Sequence, residues 1–121
     1  MNVNNTIKKG AAAEQKACSY LVKQGLKEHS RNYQCPMGEI DLIMWDGLCL
    51  VFVEVRSRKS CRFGGAGASI TLKKQQKIIK TTLYFLMVKK LQDKYPIRFD
   101  VVTLDGDLPE ISWIKNAFYA K

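Results

Sequence analysis

Apolar residues fall into blocks whose spacing changes along the chain, and the spacing predicts the elements. Ala13, Ala17, Tyr20 and Leu21 share one helical face, with Thr6 or an earlier Asn placed to cap the helix, which runs through about Gln24, and Gly25 placed to stop it. Alternation then takes over. Lys27–Tyr33, Glu39–Trp45 and Leu48–Arg56 read as three strands, and Asp46-Gly47 supplies the positive φ angles of a two-residue hairpin turn between the last two. A basic, Gly-rich loop over Ser57–Ser69 precedes a second helix, capped by Thr71, in which Leu72, Ile79, Leu83 and Leu86 recur at helical spacing while Lys73, Lys77 and Lys80 form a separate stripe. Pro96 opens a fourth strand, Ile97–Leu104; Asp105-Gly106-Asp107 turns the chain into Glu110–Trp113, and a short terminal helix is expected around Lys115–Tyr119. No internal repeat or linker interrupts this order.

Within the predicted hairpin the polar residues carry the question. Glu39, Asp41, Glu54 and Arg56 interrupt Ile, Leu, Val and Phe, and drying a charge requires a compensating partner. With Asp46-Gly47 as the loop, Trp45 faces Leu48, Asp41 faces Phe52 and Glu39 faces Glu54, so strand alternation brings Glu39, Asp41, Glu54 and Arg56 onto one surface. Asp41 and Glu54 are then diagonal neighbours with Cβ atoms somewhat under about 7–8 Å apart, a span that one or two divalent cations can bridge. A hard cation such as Mg²⁺ prefers carboxylate oxygens and keeps waters for phosphate to replace. The competing reading pairs these acids with local arginines on a solvated sheet face.

Composition limits the classes open to such a site. The 121 residues, 46% of them apolar, suit a single domain over 1–121 with one core. No run of eighteen apolar residues and no signal-peptide h-region occurs, so a soluble, cytoplasmic protein without membrane contact is expected. Cys18, Cys35, Cys49 and Cys61 show no C-x-x-C pairing and His29 is the one histidine, which argues against a zinc site or a disulfide framework. The net charge of +9 is unevenly spread: Arg56, Arg58, Lys59, Arg62, Lys73, Lys74, Lys77 and Lys80 follow one another without an intervening acid. Such a field suits a polyanion, and equally a solvated helix face. The R-F-G-G-A-G-A-S loop lacks the third Gly of a dinucleotide fingerprint and the Gly-Lys of a P-loop, leaving it a better use as flexible, cationic backbone over a phosphate chain, with Phe63 either stacking on a base or anchoring the core.

G-E-I-D-L-I, V-F-V-E-V-R-S-R, the F-G-G-A loop, a K-x-x-K helix and R-F-D-V-V together resemble the YraN-type family of small bacterial proteins across nearly the whole chain. That family is similar to the PD-(D/E)XK nuclease superfamily, and especially to archaeal Holliday-junction resolvases, in which a helix Glu, a strand Asp and an E-x-K pair bind the catalytic metal. By position, the resemblance assigns these roles to Glu14, Asp41, Glu54 and Arg56. Two departures stand out: Ile40, not Pro, precedes the Asp, and Arg56 occupies the lysine position. Arginine stays protonated and offers charge and a planar hydrogen-bonding fork, so Arg56 is expected to steady the transition state rather than to deprotonate water.

The combined expectation is an α/β, restriction-endonuclease-like domain, a central mixed sheet flanked by helices. It implies a Mg²⁺- or Mn²⁺-dependent endonuclease acting on structured or damaged DNA, with Asp41 and Glu54 ligating metal and Glu14 and Glu39 completing or water-bridging its shell. Glu14 could instead be a surface residue paired with lysines. Arg58, Lys59, Arg62, Lys73, Lys74, Lys77 and Lys80 are the expected nucleic-acid contacts, the substrate being DNA, branched or not, or RNA. Resolvase-like nucleases are often dimers, which makes a homodimer the state implied by analogy. The alternatives are a nucleic-acid-binding module that keeps the fold with little or no catalysis, and a domain whose basic face meets an acidic protein. Asp100 and Gln75 are further polar residues able to approach the site or to serve locally.

Overall fold

The computed structural model describes residues 3–58, 70–106 and 110–120, the first seven of them as backbone only. Helix α1 (Val3–Lys23) leads into strands β1 (Lys27–Cys35), β2 (Gly38–Asp46) and β3 (Cys49–Arg58), followed by helix α2 (Leu72–Val88) and strands β4 (Ile97–Asp105) and β5 (Glu110–Phe118). One sheet holds all five strands in sequence order, antiparallel except where β3 and β4 run parallel. Parallel neighbours need a crossover, and α2 is that crossover. A mixed sheet between helices is the restriction-endonuclease-like α/β architecture.

The two helices cover opposite faces. Ala17, Cys18 and Leu21 of α1 pack on Leu42, Met44, Val51, Val53 and Val102, while Ile78, Phe85 and Leu86 of α2 pack on Ile43, Phe52, Phe99 and Val101. The central strands are therefore buried on both faces, which is why β3 and β4 read as nearly continuous apolar runs. Gly38, at φ +149°, lies so close to α2 that a Cβ there would meet Thr81 Oγ1 at 2.8 Å. Among the described residues no helix is long and apolar enough to cross a membrane.

Four expectations are corrected. The β2–β3 register runs Ile43↔Phe52, Trp45↔Leu50 and Asp46↔Cys49, so Gly47-Leu48 forms the loop and the predicted Asp41–Phe52 and Glu39–Glu54 pairs do not form. Arg98 Nη1 donates to Asp46 Oδ2 at 3.0 Å and keeps Asp46 in the strand, while Gly47 takes the positive φ of 61°. A slip of two residues preserves which face each side chain takes. On α2 the buried stripe is Ile78, Thr81, Thr82, Phe85 and Leu86, whereas Leu72 and Leu83 are exposed. Thr81 permits this because its hydroxyl donates to the Lys77 carbonyl at 2.8 Å, so an apparently polar position is satisfied within the helix.

The terminal helix does not form. β5 continues through Phe118, with Val101↔Ile114 and Phe99↔Phe118 bracketing a bulge at Asn116, whose φ is +56°. Buried Asp100 organises that bulge, accepting from Asn116 N at 3.0 Å, Trp113 Nε1 at 2.9 Å and both Arg98 Nε and Nη2 at 2.9 Å. Finally, α1 runs from Val3, which puts Thr6 inside the helix rather than at its cap, while Asn2, the earlier Asn that precedes Val3, lies outside the described residues. Thr71 caps α2 as expected, its hydroxyl accepting from Lys74 N at 3.2 Å.

Candidate active site

The β2–β3 pairing stops at Leu42↔Val53. Extending its register places Asp41 beside Glu54, yet the next backbone amide is satisfied differently: Val55 N donates to Asp41 Oδ2 at 2.8 Å. Alternation along β2 breaks at the same point. Ile40 packs on the α2 side and Leu42 on the α1 side, and across the strand pair Asn32 takes a φ of +55°. Asp41 thus sits at an irregularity in the sheet, between a residue packed on one face and a residue packed on the other.

Three carboxyl groups converge electrostatically on this point. Asp41 and Glu54 are electrostatically linked; burial, reinforced by Asp41, pushes Glu54 up to about 7, and burial likewise raises Asp41. Burial thus makes both carboxyls harder to ionise than exposed acids. From α1, Glu14 is also raised, first by burial and then by Asp41 and Glu39, and its Oε1 is buried without a hydrogen-bond partner among the described residues. Glu39 itself is exposed, at the rim. An orphaned buried carboxylate oxygen is costly, and an ordered water or a cation satisfies it.

Among the described residues, no three His, Cys, Asp or Glu side chains stand close enough to hold a metal ion by themselves. A cation that binds through one or two carboxylates and keeps its waters does not require three, and that coordination is the habit of Mg²⁺. The Asp41–Glu54 pair with the unsatisfied Glu14 oxygen fits this donor set in charge and in chemistry.

Cations line the α2 side of the pair. Lys74 Nζ lies 3.6 Å from Glu54 Oε2. Glu54, Arg56, Arg58, Thr71 and Lys74 line an open cleft of about 490 Å³, and Glu39, Lys74 and Lys77 line a second of about 290 Å³. Arg56 adds an attractive field at Glu54, weaker than that of Lys74. Arg58 is tied to Asp105 at 2.8 Å, while Lys73, Lys77 and Lys80 stand exposed along α2. Lys59, Cys61, Arg62, Phe63 and the glycines of the expected phosphate loop lie outside the described residues. Of the remaining candidates, Gln75 donates to the Ile70 carbonyl at 2.8 Å and Asp100 belongs to the β5 bulge. Trp45 packs edge-on against Tyr95 at 4.9 Å.

Lys74 is the residue that reading the sequence places only among general phosphate binders. Its signal is topological: a crossover helix between parallel strands begins near their carboxyl ends, where such folds place ligands. Thr71 then fixes which residues occupy the first turn.

The chain matches the family described as "Uncharacterised protein family UPF0102" over residues 13–104. It is 55% identical to a UPF0102 protein of Legionella pneumophila strain Philadelphia 1 over 115 residues, covering 95% of this chain and 98% of the relative. It is also 51% identical to one of Saccharophagus degradans, covering 90% and 91%, and 45% identical to one of Pseudomonas paraeruginosa, covering 96% of each. The chain therefore belongs to the UPF0102, or YraN-type, family.

Proposed function

We propose that the protein is a metal-dependent phosphodiesterase that cuts structured or damaged DNA. The observation that carries this reading is the Asp41–Glu54 pair: two largely buried carboxyls, both harder to ionise than exposed acids, joined electrostatically by Glu14 with its unpartnered oxygen and flanked by Lys74 and Arg56. Asp41 and Glu54 would hold Mg²⁺ or Mn²⁺, with Glu14 and Glu39 completing or water-bridging its shell, and the ion would supply Lewis-acid charge and a more acidic water.

The chain's own residues do the rest. Val55 N fixes one Asp41 oxygen and so sets the orientation of the carboxyl. Arg56 keeps its proton and offers a donor fork to the phosphate as it gains charge, and the α2 lysines hold flanking phosphates. A nucleic-acid-binding module is the second reading, favoured by the arginine at position 56. Incubating purified protein with duplex, flap, branched and single-stranded substrates in Mg²⁺ or Mn²⁺ separates the two. The proposal expects metal-dependent cleavage of at least one substrate; binding without cleavage across the panel supports the module instead.

A further inference from the structure

We propose that Lys74, on the first turn of α2, is a catalytic residue of this site, its ammonium contacting the scissile phosphate from the side opposite the β3 strand. The inference rests on the phosphodiesterase reading above and assigns a role to a residue that the strand motif does not contain. Three independent features of the structure lead to it.

Lys74 Nζ is 3.6 Å from Glu54 Oε2, on the Glu54 side of the acidic pair, and its field also reaches Asp41. Among the described residues it is the one side chain common to both clefts, standing where a polynucleotide crossing from one to the other must pass. Its Cα is held in place because its own backbone amide is bound by the Thr71 cap, while the side chain remains 43% exposed against 15% for Glu54. One end is thus fixed by the fold and the other is presented to solvent over the carboxylates.

Arg56 and Lys74 divide the cationic task by element. Arg56 extends from the strand that carries Glu54, and Lys74 reaches it from the helix. A lysine is a compact charge with rotatable donors, able to move from Glu54 to an incoming non-bridging oxygen without surrendering a planar fork. Lys73, Lys77 and Lys80 lie along the same helix without a comparable approach to the acids, so flanking phosphates are their natural contacts.

The test compares wild type, Glu54→Gln, Lys74→Met, Lys74→Arg and, as a charge control just past the far end of α2, Lys90→Met. Single-turnover cleavage is measured in Mg²⁺, and DNA affinity is measured separately in chelator. Lys74→Met should lower the cleavage rate on the order of a hundredfold, the loss typical of one transition-state donor, while affinity changes only a few-fold. Lys74→Arg should recover most of that rate, and Lys90→Met should match wild type in both measurements. A Lys74→Met rate near wild type, with Glu54→Gln dead, overturns the role of Lys74 and leaves the phosphodiesterase reading standing. A Lys74→Arg chain as slow as Lys74→Met marks a packing defect and also contradicts the proposal. If wild type and Glu54→Gln are equally inactive on every substrate, the phosphodiesterase reading fails first and Lys74 falls with it.

Discussion

The residue that most sharply separates this site from an ordinary sheet surface is Glu54. Burial, reinforced by Asp41, pushes its carboxyl up from 4.5 to about 7, so between those values the folded chain holds a proton that the unfolded chain has lost. Stability must then fall as pH rises through that window: the penalty is absent below the unfolded value and complete above the folded one. Asp41 and Glu14, both raised, act in the same direction. For a group as buried as Glu54 the effect is of order a few kcal/mol. Urea unfolding in chelator should therefore give a lower stability at about pH 8 than at about pH 5, and added Mg²⁺ should restore much of the difference by binding the ionised pair. A Glu54→Gln chain should lose most of this pH dependence. Equal stability at both pH values in the wild type would show that Glu54 ionises as an ordinary surface acid.

At the scale of elements, both helices and the first four strands are legible in the sequence, but the hairpin register and the continuation of β5 in place of a terminal helix are not. Asp46-Gly47 reads as a turn dipeptide, whereas a long-range ion pair to Arg98 holds Asp46 in the strand. Local turn chemistry cannot reveal a partner fifty-two residues away. Because the slip is even, Asp41 and Glu54 remain neighbours and become closer ones. The full length of β5 is hidden for a related reason: Ile114, Asn116 and Phe118 do not alternate cleanly, since the bulge resets the period and owes its shape to Asp100 on the adjacent strand. That bulge yields a prediction. Asp100→Ala leaves the Arg98 guanidinium, the Trp113 indole and the Asn116 amide without their common acceptor, which should cost about 3–5 kcal/mol. Chemical denaturation would measure it, and a loss under about 1 kcal/mol would mean that β5 is not pinned by this carboxylate.

Across the whole molecule, acids gather at one end of the β2–β3 pair and cations along α2, an arrangement that a polyanion with a bound divalent cation would satisfy. The carboxylates of this pattern can be read from G-E-I-D and V-E-V-R, because strand alternation and family resemblance agree on them. The approach of Lys74 to Glu54 cannot, because it depends on where a crossover helix lands. Nucleic-acid affinity should fall steeply with salt, and Lys73→Ala with Lys77→Ala should flatten the log–log slope by roughly one unit for each phosphate that is no longer neutralised. Salt-independent binding would instead point to a different kind of partner for the basic face. The most direct test of the site itself is the cleavage rate of one branched DNA, followed as Mg²⁺ is raised from zero, for wild type beside Glu54→Gln. Wild type should show a rate that is absent in chelator and saturates with metal, while Glu54→Gln stays at background throughout. A rate that persists in chelator, or one that Glu54→Gln shares, would contradict the assignment of Asp41 and Glu54 as a metal-dependent phosphodiesterase site.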